Sequence, residues 1–220
     1  MTETRFRTDA QVKAAVVSEL EWTPSVDSTH IGVAVEGGAV ALSGEVDTYA
    51  EKVLAETAAL SIVGVTVVAD ELTVRTPWGP PTDEAIAAEV ARALDRAVDV
   101  PEGIQAVVVD HHVTLSGTVT WRYQREAAER VVRYLKGVQG LSNLVSVRPA
   151  LTPGDLSAAI TAAFVRSAQI ESQHIHVTAV GGSVTLDGTV ASWSESRRAD
   201  TVAWSAPGVT GVLNRLVIRE

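Results

Sequence analysis

Hydrophobic positions along the chain fall into three rounds of one pattern, each opening with a threonine and apolar residues four apart. Thr8 precedes Val12, Val16 and Leu20; Thr82 precedes Ile86, Val90 and Leu94; Thr152 precedes Leu156, Ile160 and Phe164. That recurrence is the stripe of an amphipathic helix. Threonine suits the N-cap, because its hydroxyl accepts a hydrogen bond from an orphaned amide of the first turn. Gln11 and Asp155 stand three residues on, where a capping box places a side-chain acceptor, although aspartate is short for that reach. Pro153 takes the first helical position, where its missing N–H costs nothing.

The period then changes from helical to alternating. Ile31–Val35 and Ile175–Val180 each lead through a Gly-Gly pair (Gly37-Gly38, Gly181-Gly182) into strands beginning at Val40 and Val184. The middle round, Ile104 to Val109, turns at Asp110-His111 into a strand beginning at Val113. Such pairs between alternating strands mark hairpins, whose turns need positive φ. Each second strand ends in a glycine two residues after its leucine: Leu42 and Gly44, Leu115 and Gly117, Leu186 and Gly188. These glycines are 73 and then 71 positions apart, and Gly64, Gly137 and Gly208 repeat the same offsets. Between the two glycines of each round lies a second helix, about Tyr49–Ser61, Arg122–Lys136 and Ser194–Ser205, stopped by the later glycine. A short apolar strand closes each round, at Leu72–Val74, Val145–Val147 and Leu216–Ile218.

The order predicts an α+β protein of three tandem α-β-β-α-β modules, each a three-stranded mixed sheet with two helices on one face. The modules span residues 8–75, 82–148 and 152–219. Proline-rich linkers separate them, at Thr76–Pro81 and Pro149–Leu151, the first stiffened by its prolines. Modules this small are marginal alone, so the copies are expected to pack together.

This pattern resembles the BON family (bacterial OsmY and nodulation domain), repeated three times over nearly the whole chain. The resemblance rests on the capped first helix, the strand ending in Gly44, Gly117 or Gly188, and the Gly-Val pair leading to the last strand. It implies a non-enzymatic protein without a cofactor, binding phospholipid at a membrane interface, in the envelope and under osmotic stress. Potassium binding by relatives of this kind implies a second reading, a cytoplasmic cation or small-ligand sensor. A protein-interaction scaffold, using module surfaces and edge strands to hold a protein partner, is the third.

Composition narrows the function. The 220 residues include no cysteine, which removes disulfides, thiolate metal sites and cysteine nucleophiles. A formal charge of −9 argues against nucleic acid as a partner. Residues 1–76 carry 12 acidic against 5 basic side chains, so most of the acidity lies in the first third. No apolar stretch approaches the roughly 20 residues of a transmembrane segment. The first residues lack the apolar core of a signal peptide, so a soluble cytoplasmic protein is expected. Peripheral membrane association and a periplasmic form with a removed leader are the alternatives.

The candidate chemistry is sparse, and no catalytic or metal site is assigned. Gly44, Gly117, Gly188, Gly64, Gly137 and Gly208 read as structural. His111-His112 lies at a turn, and His174 and His176 are spaced to share one strand face, yet no third ligand follows. The middle second helix is richer. Trp121, Arg122, Tyr123, Arg125, Arg130, Arg133 and Lys136 combine aromatics with cations, as an anionic phospholipid surface requires. The plain alternative is a solvated face with pairs such as Glu126–Arg130 and a tryptophan filling the core. Trp22, Trp193 and Trp204 at helix ends read as module-packing residues. The acidic Glu36, Glu45, Asp47, Glu51 and Glu56 read as a solvated surface.

Overall fold

The computed structural model describes residues 8–76, 79, 81–167, 170 and 172–219. Much of the first linker, including Pro77, Trp78 and Pro80, lies outside the described residues, and with it the expectation of stiffness.

The first copy runs α1 (Asp9–Trp22), β1 (Ile31–Glu36), β2 (Ala39–Val46), α2 (Tyr49–Leu60) and β3 (Val67–Val74). β2 is central, antiparallel to β1 and parallel to β3. The parallel neighbour follows from chemistry of the chain path, since α2 supplies the crossover that a hairpin cannot. Val12, Val16 and Leu20 of α1 and Ala55, Ala58 and Ala59 of α2 bury against Val40, Leu42, Val46 and Leu72. The other sheet face, with Gly32, Ala34 and Ala69, is exposed.

The third copy repeats this order as α5 (Pro153–Arg166), β9 (Ile175–Val180), β10 (Ser183–Val190), α6 (Trp193–Trp204) and β11 (Gly211–Ile218). In the middle copy the elements are α3 (Asp83–Arg96), β4 (Gln105–Val109), β5 (His112–Ser116), β6 (Thr118–Val119), α4 (Arg122–Arg133), β7 (Gly140–Asn143) and β8 (Ser146–Val147). Here the long strands are broken, so β4-β5-β7 form one sheet and β6-β8 a second, two-stranded one. α4 ends at Arg133, so Lys136 falls in the turn beyond the helix rather than within it.

The chain divides into two compact units, and the middle copy is shared between them. One unit holds Met1–Ala93, Val107–Thr114 and Val131–Ser142; the other holds Leu94–Ala106, Leu115–Arg130 and Asn143–Glu220.

Three recurring devices explain why these sequences fold this way. Gly44, Gly117 and Gly188 have φ of 121°, 136° and 126°, and a side chain there would run into the carbonyl oxygen of His30, Gly103 or His174. They are fold determinants, because only glycine tolerates both the dihedral and the approach. Each first helix is capped by its threonine, and Thr8 with Gln11 forms the full reciprocal box. Asp155 is too short to reach back, and instead accepts from the Thr152 hydroxyl at 2.6 Å. Lastly, Asp70, Asn143 and Asn214 in the closing strands each accept from the amide two residues on, at 3.0, 3.2 and 3.1 Å. The same side chains tie back to the second helix, through Lys52, Arg125 and Ser196 respectively.

Candidate functional site

The second helices differ most at their first turn. Thr48 and Ser192 cap α2 and α6, accepting from the amides of Glu51 at 3.1 Å and Glu195 at 3.2 Å. Both glutamates are buried at 7% exposure and point back toward the chain before the helix. Glu51 accepts from Asp27 N at 2.6 Å and Asp47 N at 2.8 Å, while Glu195 accepts from Ala191 N at 2.7 Å. Glu51 is therefore a buried capping residue, not part of a solvated acidic surface.

The middle copy departs from that rule. Trp121 takes the cap position, where its side chain offers no acceptor, and Gln124 alone satisfies Thr120 N and Trp121 N at 3.2 and 3.1 Å. A missing hydroxyl cap costs about 1 kcal/mol. What replaces it is an aromatic at the rim of an open cleft of about 890 Å³. Trp121, Arg122, Tyr123 and Glu126 of α4 form one wall, and Asp200, Thr201, Trp204 and Ser205 of α6 and its end form the other. Thr120 O, just before α4, accepts from Gly208 N at 2.8 Å, which holds the two walls together. Gly208 is required there, since a side chain would crowd Pro149 and Ala150.

Inside the cleft the Arg122 guanidinium lies 3.9 Å from the centroid of the Trp204 ring. Its Nε also bonds Glu126, so the expected Glu126–Arg130 pair is replaced by Glu126–Arg122. Trp121 and Tyr123 sit 6.2 Å apart with tilted rings, and Tyr123 is half exposed. Burial pushes the Asp200 carboxyl above the usual carboxylate range, and the Arg122 charge only partly offsets this.

Of the residues named from the sequence, the cleft gathers Trp121, Arg122 and Tyr123. The rest of the expected basic face disperses. Arg125 turns to the closing strand, donating from Nη2 to Asn143 O at 3.2 Å. Arg130 lies 3.9 Å from Asp99, Arg133 is half-buried, and Lys136 is exposed past the helix end. Trp204 becomes a cleft wall, while Trp22 and Trp193 stand 83% and 71% exposed instead of packing between modules. Asp200, Thr201 and Ser205 were missed, because no sequence period links α6 to a helix some eighty residues earlier.

The histidines serve the fold. His111 Nε2 meets Pro81 O at 3.0 Å, and His112 Nε2 meets Ser142 Oγ at 2.8 Å. His174 ends a 3₁₀ turn, Ser172–His174, so it does not share a strand face with His176 on β9. Among the described residues no group of three or more His, Cys, Asp or Glu is placed to hold a metal ion. No helix among them is long and apolar enough to cross a membrane.

The family model for the BON domain matches residues 8–76, 82–149 and 154–220. Osmotically-inducible protein Y of Escherichia coli (strain K12) is 34% identical over 143 residues, covering 61% of this chain and 71% of that protein. Two solved structures of CdsD, a structural protein of the type III secretion system of Chlamydia trachomatis, also align. The first, its C-terminal domain, has a TM-score of 0.29 at 16% identity, covering 97% of this chain and 100% of that one. The second has a TM-score of 0.27 at 17% identity, covering 94% and 91%.

Proposed function

The chain belongs to the BON domain family, in three tandem copies, and we propose that it is a non-catalytic stress protein that docks peripherally on a phospholipid interface. The aromatic rim of the α4–α6 cleft is the docking element. One observation carries this reading: Trp121 stands where the other two copies place a capping hydroxyl, with Tyr123 exposed beside it. Amphipathic aromatic rings favour the headgroup level of a bilayer. The relative named for osmotic induction supports the stress setting.

Charge plays a smaller part than the basic residues of the middle second helix suggested. Arg122 pairs with Glu126, Arg125 donates to Asn143 O and Arg130 lies 3.9 Å from Asp99, so these three cations of the α4 face are engaged within the chain. Binding through aromatic burial survives salt, whereas steering by exposed charges is screened. The test is flotation with vesicles at low and high salt. The protein should rise with the lipid under both conditions, and the double variant Trp121→Ala with Tyr123→Ala should stay behind. Wild-type protein left at the bottom of the gradient, or a double variant that floats unchanged, removes the proposal.

A further inference from the structure

We infer that the α4–α6 cleft is a receptor for a quaternary ammonium group, caged by Trp121, Tyr123 and Trp204 and balanced by Glu126 and Asp200. The inference rests on the interface reading above and names the headgroup chemistry that the same cleft selects. Three aromatic rings line one open cleft. The negative face of such a ring attracts a cation, and desolvation strengthens the attraction. The cleft already exhibits the preference, because Arg122 places its own guanidinium 3.9 Å from the Trp204 centroid.

The charges point the same way. Two carboxylates, Glu126 and Asp200, face a single cation, Arg122, among the residues lining the cleft. An anion entering there meets a net negative wall, and the guanidinium that would receive it is held by Glu126. A cation offsets the burial that disfavours the charged form of Asp200.

The type of cation follows from what the walls offer. A primary ammonium carries three donors and a tight hydration shell, which ring faces cannot replace. A quaternary ammonium has no donor, and its methyl groups present apolar surface to the rings. The matching positions elsewhere confirm that the fold does not demand these aromatics: Thr48 and Ala50 stand there in the first copy, Ser192 and Ser194 in the third.

Such a group belongs either to a choline lipid or to a free methylammonium solute, and the experiment separates them. Tryptophan fluorescence of the whole chain is followed while choline chloride is added, against 3,3-dimethylbutanol as the neutral isostere. Phosphatidylcholine and phosphatidylglycerol vesicles are then compared by flotation. Choline should give a saturable response at least about fivefold tighter than the isostere, the size of one cation–π contact. Asp200→Asn and Tyr123→Ala should each weaken it by about the same factor, and Trp193→Ala, outside the cleft, should leave it unchanged. Choline binding without vesicle binding supports a free solute and removes the interface reading alone. Selective flotation with phosphatidylcholine supports the lipid source. Equal flotation with both lipids and no choline response overturns this inference while the interface reading stands. An isostere that binds as well as choline, or no response to choline or to phosphatidylcholine, also overturns it.

Discussion

Gly188 lies against the carbonyl oxygen of His174, with φ of 126°, and a Cβ added there would occupy the oxygen's own space. Gly117 holds the same place in the middle copy, where its Cβ would stand 2.9 Å from Gly103 O, a backbone clash shallower than the one at Gly188. Gly188→Ala should therefore destabilise its copy by about 3 kcal/mol or more, through backbone clash and strained φ together. Gly117→Ala should cost less, about 1–2 kcal/mol, from its φ and the shallower clash together. Amide hydrogen exchange reads the two separately, in β10 and in β5. Equal loss of protection in both strands would show that the close approach is not what demands glycine.

Glu51 offers a second measurable contrast. Its carboxylate receives two amides, from Asp27 and Asp47, and that of Glu195 receives the amide of Ala191. A buried amide left without an acceptor costs about 1–3 kcal/mol. Glu51→Ala should lower the urea midpoint more than Glu51→Gln, which keeps an acceptor oxygen, and should also loosen the segment before β1. If the glutamine variant is as damaging as the alanine one, the accepted amides do not set the energetics.

These glutamates also mark where the sequence was legible and where it was not. The repeat could be read from Gly44, Gly117 and Gly188, because glycine is enforced there by backbone sterics alone. Glu51 and Glu195 carried a local signal, Thr48 or Ser192 followed three residues later by glutamate, but charge made Glu51 look like surface. His174 reads from its spacing as sharing a strand face with His176, since a 3₁₀ turn before β9 leaves no mark in an alternating pattern. The cleft lay beyond local reading altogether. Trp121 and Tyr123 were conspicuous, whereas Asp200 and Trp204 join them only through packing between α4 and α6. Counting cations also misled, because Arg125 finds an acceptor that only the tertiary structure supplies, and Arg122 lies over the ring of Trp204.

The first residue of the first helix sets up a third test. Asp9 accepts from Gly37 N at 3.0 Å and Gly38 N at 3.4 Å, and Asp83 accepts from Asp110 N and His111 N at 2.8 and 2.9 Å. Pro153 occupies the matching position in the third copy and offers no carboxylate to Gly181 and Gly182. In the wild type, the Gly181 amide should exchange faster than that of Gly37. Asp9→Ala should bring Gly37 up to the rate of Gly181 and leave Asp110 and His111 unchanged. A Gly37 amide indifferent to the substitution means that the turn is held by its backbone alone.

The last prediction concerns Asp200, whose carboxyl is pushed up by burial against the partial offset of Arg122. A group with a raised folded pKa holds its proton longer in the native state. Its stabilising contribution is complete below the unfolded pKa and is lost as pH rises through the folded one. Asp200→Asn stays neutral at every pH and suffers no such loss. The two proteins should therefore melt alike near about pH 3, below the ordinary aspartate range. Toward neutral pH the variant should become the more stable, by a margin that levels off once Asp200 is fully ionised. Thermal unfolding across that range reads the effect directly. A variant that is instead less stable at neutral pH would mean that attraction to Arg122 outweighs burial, reversing the order of the two causes at this wall of the cleft.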